Sequence, residues 1–377
     1  MFKGNFDIPL DFFQTRTPPL IGVDISPSAV KLVELRGGQK KSRKKSDAQS
    51  KTADYVLEGY AIEPLPHDAI VDGNINNLAA ISSALQRALK RMGTRVRSAA
   101  LALPAATVVT KRIFLAGGLR EEDLEYQAET EASQYIPFPM DEANLDFQEI
   151  GPAADNPEEV EVLLVASRKT NIEDRVAVAQ GAGLRAVVVD VESYAAEAAL
   201  APVLAQLPNE GKDQCIALVD IGANMMGVNI LRNGTSVFTR DQQIGGAQLT
   251  RQIQETFGFT AEEAELGKRN GGLPNSYERD VLAPFRENIA SEVARAIQFF
   301  FASTQFNEVS GVVLFGGCAA LPGLDHAIAM RTQVPAQIAN PFAQMGLSGR
   351  IISRQLQVDA PALVVACGLA LRRFDSL

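Results

Sequence analysis

The sequence predicts an α/β protein whose two lobes close around a nucleotide. Two similar segments, residues 21–31 (IGVDISPSAVK) and 219–224 (VDIGAN), each place an aspartate, Asp24 and Asp220, beside a glycine after an apolar, strand-like run. A third glycine-rich turn, LFGGCAALPG, follows at residues 314–323. Tight turns present backbone N–H groups to phosphates, and a carboxylate suits a hydrated cation. One such turn would mean little, but the ordered set indicates a duplicated nucleotide clamp.

Length and composition are those of a globular protein with more than one lobe. The chain has 377 residues, 46% of them hydrophobic and 21% charged. Its net charge of −9 argues against a general nucleic-acid or anionic-membrane surface. Three cysteines and two histidines show no metal-ligand spacing, so a zinc site is not expected. Because we find no signal peptide and no apolar run of roughly 20 residues, we expect a cytoplasmic protein without direct membrane insertion.

The first lobe is predicted at residues 20–107 and 185–212. Its strands are expected at residues 20–25, 29–35, 55–62, 99–103 and 186–191, with a turn at Ser26-Pro27 between the first two. Apolar residues three and four positions apart predict an amphipathic helix over residues 77–92 that ends near Gly93.

Two segments of the first half are expected to lie outside this sheet. Residues 1–19 are predicted as an N-terminal segment. Residues 37–54 are rich in serine, lysine and arginine and lack apolar residues apart from alanine, which predicts a flexible surface loop. Contact of this basic loop with phosphate or anionic lipid is the alternative interpretation.

An inserted module is predicted at residues 108–184. The order is strand, helix, two paired strands and helix, at residues 108–115, 119–133, 145–150, 160–167 and 171–181. Such a βαββα unit with antiparallel pairing describes a small two-layer module. A helix over residues 192–207 follows the last strand of the first lobe.

The second lobe is predicted at residues 213–377, with a smaller subdomain at 246–308. A strand meander is expected first, followed by helices, one buried strand and a closing helix. These lie at residues 216–220, 227–232 and 236–242 (strands), 247–257, 261–268 and 277–306 (helices), 312–315 (strand) and 360–374 (closing helix).

The glycines suggest how a nucleotide would bind. Gly22 and Gly222 are expected to permit close backbone approach or positive φ. The pair at residues 245–246 lies at the start of a predicted helix whose N-terminal amides favour an anion. The pair at 316–317 would let adenosine lie flat against the backbone. Two residues of one helix face, Glu265 and Lys268, are placed to bind the ribose and the purine edge. Taken singly, each feature is also explained by an ordinary turn or a surface ion pair.

In this order the motifs resemble those of the actin-like (ribonuclease H-like) ATPase superfamily, whose lobes close around ATP and Mg²⁺. The inserted module resembles that of the bacterial cell-division protein FtsA. Four segments most resemble the PilM family of type IV pilus assembly proteins: residues 22–35 (GVDISPSAVKLVEL), 131–138 (EASQYIPF), 189–195 (VDVESYA) and 315–324 (FGGCAALPGL). The resemblance extends from about residue 20 to residue 371.

The resemblance implies the cofactors ATP and Mg²⁺ and a set of contact residues. Asp24 and Asp220 would hold the metal through water. The nucleotide-binding residues would be Asp24, Ser26, Lys31, Gly222, Asn224, Gly245, Gly246, Glu265, Lys268, Gly316, Gly317 and Ala319.

Catalysis is less clearly indicated than binding. Glu192, at the junction of a strand and a helix, matches the position of the water-orienting residue in the superfamily, although a glutamate there is also an ordinary first-turn residue. Met225 and Met226 occupy positions where many relatives carry small hydroxyl residues. We therefore expect ATP hydrolysis to be slow or absent.

The resemblance also implies a partner. PilM-family proteins bind the N-terminal cytoplasmic peptide of the inner-membrane protein PilN and connect the inner-membrane complex to other pilus assembly proteins and the motor. The candidate contact residues are Tyr135, Ile136 and Phe138, of which the last two could equally be local core. An FtsA-like protein that polymerises at the membrane and a small-molecule kinase are the alternatives. Self-association stays open, and no nucleic-acid partner is expected.

Overall fold

The computed structural model describes residues 19–38, 54–71, 73–153, 156 and 158–374. The chain divides into two compact units. The described parts of Met1–Ala198 and Val365–Leu377 form the first, and Ala199–Val364 forms the second. The predicted N-terminal segment, apart from Pro19, and most of the predicted basic loop lie outside the described residues.

The first unit contains a main sheet and a smaller module. Its elements in chain order are β1 (Ile21–Ser26), β2 (Ala29–Gly37), β3 (Tyr55–Pro64), β4 (Ile70–Val71), β5 (Asn74–Ile75), α1 (Leu78–Met92), β6 (Ser98–Leu103), β7 (Val108–Ala116), α2 (Glu121–Ala132), β8 (Ala143–Pro152), β9 (Glu159–Arg168), α3 (Lys169–Gly181), β10 (Arg185–Val191) and the start of α4 (Glu192–Leu204).

The main sheet confirms the predicted strands and the hairpin near the N-terminus. Its strands from this unit pair in the order β10-β6-β1-β2-β3. β1 is antiparallel to β2 and parallel to β6, and Asp24 lies opposite Lys31. The first five residues of β1 are buried, as expected of a central strand covered on both faces. Asp24 is therefore fixed within a rigid strand rather than at a turn.

Helix α1 begins and ends where the sequence predicts. The Asn77 side chain accepts a hydrogen bond from the backbone N–H of Ala80 at 3.0 Å and so caps the first turn. Gly93 ends the helix in the left-handed conformation, with φ of 67°. The apolar face, including Ile81 and Leu85, is buried in the core of the first unit.

The inserted module is a three-stranded antiparallel sheet in the order β7-β9-β8, with α2 packed on one face. Its own core includes Ile113 and Leu124. Helix α3, which the sequence predicts as part of the module, instead packs against the main sheet and α1: Ile172 and Val178 lie in the core of the first unit. The Ser82 hydroxyl donates to the Val178 carbonyl at 3.1 Å. The compact module thus ends with β9.

The second unit has its own mixed sheet. Its elements are β11 (Cys215–Ile221), β12 (Met226–Arg232), β13 (Thr235–Gln242), α5 (Gly246–Phe257), α6 (Ala261–Asn270), α7 (Ala283–Ser303), β14 (Gly311–Phe315), α8 (Leu324–Thr332), β15 (Ala336–Ile338), β16 (Gly346–Leu347), α9 (Ser353–Asp359) and α10 (Val364–Leu371), most of which belongs to the first unit. The sheet order β13-β12-β11-β14-β15 contains the predicted meander, with β14 and β15 parallel to β11.

The long helix predicted at residues 277–306 is divided. A π-helical turn at Glu278–Leu282 precedes α7, and Pro284 lies in the first turn of α7, where its missing N–H is tolerated. Phe285 and Ile289 are among the residues that bury one face of α7 in the core of the second unit. Among the described residues, no helix combines the length and apolarity needed to cross a membrane.

The closing helix differs from its predicted place in the second lobe, because two glycines let its backbone pack within the first unit. A Cβ on Gly22 of β1 would lie 2.0 Å from the carbonyl oxygen of Ala366. A Cβ on Gly368 would lie 1.7 Å from the carbonyl oxygen of Ala195. The close approach expected at Gly22 is therefore to α10. The predicted lobe limits otherwise stay predictions.

We predict that Gly22→Ala lowers the thermal transition of the protein. The added methyl group has no room beside Ala366, and overpacking of this kind costs about 1–3 kcal/mol. The control is Gly349→Ala, because no atom lies within 4 Å of a Cβ placed on the exposed Gly349. Equal melting temperatures for the two variants would contradict this packing.

Candidate functional site

In the first unit, the predicted residues Asp24, Ser26 and Lys31 lie together on the β1–β2 hairpin. Asp24 is only 3% exposed, and its Oδ2 lies 2.8 Å from Lys31 Nζ. The Ser26 hydroxyl donates to the Ala29 carbonyl at 2.9 Å. The ion pair holds a carboxylate and an ammonium group side by side, so a metal-bound water and a phosphate oxygen would each find a partner there.

Glu192 is the first residue of α4 and directly follows β10, as predicted. Near it lies a charged group that the sequence analysis did not identify. Arg175 of α3 is only 1% exposed. Burial lowers the pKa of this guanidinium, while attraction to Glu192, Asp174 and Asp24 opposes that effect. The available signal was an arginine in the helical phase of the apolar positions of α3.

In the second unit, hydrogen bonds join the glycine turn at Gly222 to the glycine pair at residues 245–246. The Gly246 N–H donates to the Gly222 carbonyl at 3.0 Å, and the Ala247 N–H donates to the Ala223 carbonyl at 2.8 Å. These amides at the start of α5 are therefore engaged by the protein itself and are not the open anion-binding amides expected there. A Cβ on Gly245 would lie 2.6 Å from the Gly222 carbonyl oxygen, so this glycine is needed for the contact.

The segment that contains the glycine pair at residues 316–317 is hydrogen-bonded to the same turn. The Cys318 N–H donates to the Ile221 carbonyl at 3.0 Å, and the Cys318 Sγ–H donates to the Gly222 carbonyl at 3.4 Å. Gly316 has φ of 91°, and a Cβ there would lie 2.2 Å from Asp220 Oδ1. A side chain at Gly316 would thus displace the carboxylate predicted to face the metal.

The neighbouring residues of this turn differ in access. Gly317 is exposed, and no atom lies within 4 Å of a Cβ placed on it, which leaves room for a flat ring against the backbone. Ala319, predicted to contact nucleotide, is 0% exposed and packs in the core of the second unit. Its side chain is therefore unavailable to a ligand.

Glu265 and Lys268 form a partly buried network with Thr250. Lys268 Nζ lies 2.5 Å from Glu265 Oε2 and donates to Thr250 Oγ1 at 2.9 Å. Burial raises the pKa of Glu265, but Lys268, Arg269 and Thr250 together outweigh this effect and hold it below its ordinary value. The side chain of Lys268 is 11% exposed, so this is more than a surface ion pair.

The two methionines after Asn224 point in different directions. Met225 is 40% exposed, whereas Met226 is 0% exposed and lies in the core of the second unit. Met226 therefore does not replace a hydroxyl group facing the turn, because side chains alternate at the start of β12. Asn224 itself is exposed.

The module carries an apolar groove at the predicted partner-binding run. It is shallow, with a volume of about 10 Å³, and is lined by residues that include Val109, Tyr135, Ile136 and Leu145. Tyr135 is 40% exposed, and Lys111 Nζ lies 5.0 Å from the centre of its ring. Ile136 is 9% exposed and belongs to the module core, so it supports the groove from below.

Phe138 lies beside the groove rather than in its lining. Its ring is half-buried against the module core, with the Arg168 guanidinium carbon 4.6 Å from the ring centre. Of the three candidate partner-binding residues, Tyr135 is therefore the one most open to a peptide. The basic side chain of Lys111 would accompany an aromatic contact at this rim.

A family model and two solved structures match this chain over almost its whole length. The family model described as "Type IV pilus assembly protein PilM" matches residues 22–374. A solved PilM–PilN type IV pilus biogenesis complex is 28% identical, covers 96% of this chain and 100% of that chain, and has a TM-score of 0.77. The ethanolamine utilization protein EutJ from Carboxydothermus hydrogenoformans is 19% identical, with a TM-score of 0.55 and coverage of 94% and 89%. The predicted actin-like α/β fold is confirmed.

A curated relative matches over a shorter part. The cell division protein FtsA of Bacillus subtilis (strain 168) is 23% identical over 205 residues, which are 48% of this chain and 45% of that protein. The chain thus spans less than half the length of this relative.

We predict that Glu265→Gln lowers stability at neutral pH but not in acid. Because its pKa is lowered in the folded state, the carboxylate stabilises the protein above its ordinary pKa, about 4.3, and this contribution is lost as pH falls through the lower folded value. Melting temperatures measured against pH should converge with those of wild type in acid. The control is Glu262→Gln, an exposed position on the same helix. A pH-independent difference would contradict the network.

Proposed function

Because the chain belongs to the family of the type IV pilus assembly protein PilM, we propose that it is a cytoplasmic ATP-binding scaffold of the pilus assembly machinery. The observation that carries the proposal is the similarity to a PilM–PilN complex over 96% of the chain. In this role the protein binds PilN and connects the inner-membrane complex to the pilus motor. Its position at the membrane then comes from its partner.

The groove of the module supports the partner assignment. The groove is small, with a volume of about 10 Å³, so a peptide would contact its rim and place at most a small apolar group in it. Apolar walls would bind an apolar anchor, and Lys111 and Tyr135 at the rim would contact flanking polar groups. We assign the N-terminal cytoplasmic peptide of PilN to this groove.

Residues within each unit support nucleotide binding. From the first unit, Asp24 with Lys31 provides charge for a metal-bound water and a phosphate. From the second, the joined glycine turns place Asp220 beneath Gly316, and exposed Gly317 leaves space for the base. These residues fit ATP with Mg²⁺, a cation that is commonly held by one or two carboxylates, waters and substrate phosphates. When bound, Mg²⁺ would neutralise phosphate charge.

Binding rather than rapid turnover is the activity we assign. Glu192 is the candidate residue for orienting a water molecule, as its place at the start of α4 allows. The exposed thioether of Met225 offers no hydrogen-bond donor beside Asn224, whereas a hydroxyl there would. Stable nucleotide binding suits a scaffold protein whose partners recognise its nucleotide-bound conformation.

We predict that Asp220→Asn weakens binding of ATP in the presence of Mg²⁺ by about 1–3 kcal/mol, because a charge-assisted contact is lost while the side-chain shape is kept. Isothermal titration calorimetry would measure the affinity, with and without the metal. Glu287→Gln, which removes an exposed carboxylate of the same unit, is the matched control. Unchanged affinity in Asp220→Asn would refute the assignment of this aspartate.

We predict that Tyr135→Ala weakens binding of a synthetic PilN N-terminal peptide by about tenfold or more, as expected when an aromatic contact residue is removed. Fluorescence anisotropy of a labelled peptide would report the affinity. Tyr126→Ala is the control, since Tyr126 is 73% exposed on the same module and does not line the groove. If both variants bind the peptide as wild type does, the groove is not the receptor. Phe138 is left unchanged because it supports the module core.

A further inference from the structure

Arg175 is the largest fully buried side chain among the described residues, and the proposed function does not use it. Its guanidinium donates to three backbone carbonyls: Nε to Ala102 at 3.0 Å, Nη1 to Asn171 at 3.3 Å, and Nη2 to Gly73 at 3.2 Å. The Ala102 and Gly73 carbonyls belong to the end of β6 and to the turn between β4 and β5, whereas Asn171 lies one turn earlier in α3 itself. A buried charge held in this way cannot move alone, because it would lose its partners in the core.

The register of the main sheet places this charge near Asp24 and Glu192, two residues that we propose act on a bound nucleotide. Ala102 lies on β6 opposite Asp190 of β10, two residues before Glu192. On the other side of β6, Leu101 pairs with Val23, the residue before Asp24. The guanidinium bonded to Ala102 therefore lies in the part of the sheet flanked by the two acidic positions. Its electrostatic attraction to Glu192 and Asp24 agrees with this placement.

Helix α3 also continues directly from the module. β9, a central strand of the module, ends at Arg168, and α3 begins at Lys169. A displacement of the module by a bound peptide would therefore be carried into α3, and through the Arg175 hydrogen bonds into the end of β6 and the turn at Gly73.

We propose that Arg175 is a positioning residue that couples the peptide groove of the module to nucleotide binding beside Asp24 and Glu192 of the first unit. This inference rests on the proposed function. The fixed positive charge favours phosphate binding and keeps Glu192 in place, while the hydrogen bonds to the Ala102 and Gly73 carbonyls make α3, the end of β6 and the turn at Gly73 move together. Peptide in the groove then changes nucleotide affinity, and by linkage nucleotide changes peptide affinity by the same factor.

The test is calorimetric titration of ATP with Mg²⁺, in the presence and absence of saturating PilN peptide. In wild type the peptide should change ATP affinity at least about fivefold. Arg175→Gln should lower ATP affinity on the order of tenfold and abolish the effect of the peptide, because the positive charge and two of the three hydrogen-bond donor groups are lost. Arg175→Lys keeps a basic group but is charged less fully in a buried place, so its ATP affinity should lie between those of wild type and Arg175→Gln. Arg95→Gln, which removes an exposed arginine of the same unit, should behave as wild type.

The outcomes separate the inference from the proposed function. A folded Arg175→Gln protein with wild-type ATP affinity and an intact peptide effect would overturn the role of Arg175 alone. Wild type that binds both ligands without mutual influence would also overturn it. Wild type that binds neither ligand would overturn the proposed function, and this inference with it.

A measurement on wild type covers the case in which Arg175→Gln does not fold. Hydrogen–deuterium exchange should show that peptide binding changes the protection of α3 and of the turn at Gly73 together, as well as that of the module. Changes confined to residues of the module would show that its motion does not reach Arg175.

Discussion

The second unit depends on a set of backbone hydrogen bonds that hold three distant glycine motifs together. Consecutive carbonyls of the turn after β11, at Ile221, Gly222 and Ala223, accept N–H groups from Cys318, Gly246 and Ala247. Buried backbone groups must be paired, so this turn cannot open without breaking all three contacts. The glycines are needed because a methyl group at Gly245 or Gly316 would collide with the turn or with Asp220. Each motif alone is weak evidence for a nucleotide-binding protein. The three together are stronger evidence, because they are hydrogen-bonded to one another in the folded chain.

The first unit is built differently, from charged side chains fixed in a sheet. Asp24 is held by Lys31 across the β1–β2 hairpin, and Arg175 is held by three carbonyls. Backbone contacts fix a shape, whereas buried charges respond to small displacements of their neighbours because electrostatic energy is large where water is excluded. We therefore expect a partner bound to the module to change affinity for an anion through the first unit.

Elements with strong local signals were predicted well from the sequence. The β1–β2 hairpin, α1 with its Asn77 and Gly93 caps, and the β11–β13 meander have the expected type and lie within a few residues of their expected bounds. The errors arise where tertiary contacts decide. Helix α3 has an apolar face that suits either the module or the main sheet, and only packing against α1 decides between them. The closing helix joins the first unit because Gly22 and Gly368 permit close backbone approach, and no local pattern reveals which element approaches Gly22.

The candidate site shows the same limit at the scale of single groups. Sequence order identified the glycine pairs, but it did not show that the amides of Gly246 and Ala247 are already engaged or that Met226 points into the core. Arg175 was missed because an arginine inside a helix is usually exposed, and its burial depends on carbonyls far apart in the chain. A guanidinium with three fixed acceptors retains its charge in such a place, where a lysine would lose its proton more readily. The choice of arginine at this position thus favours a lasting positive charge beside the acidic residues over a group that titrates.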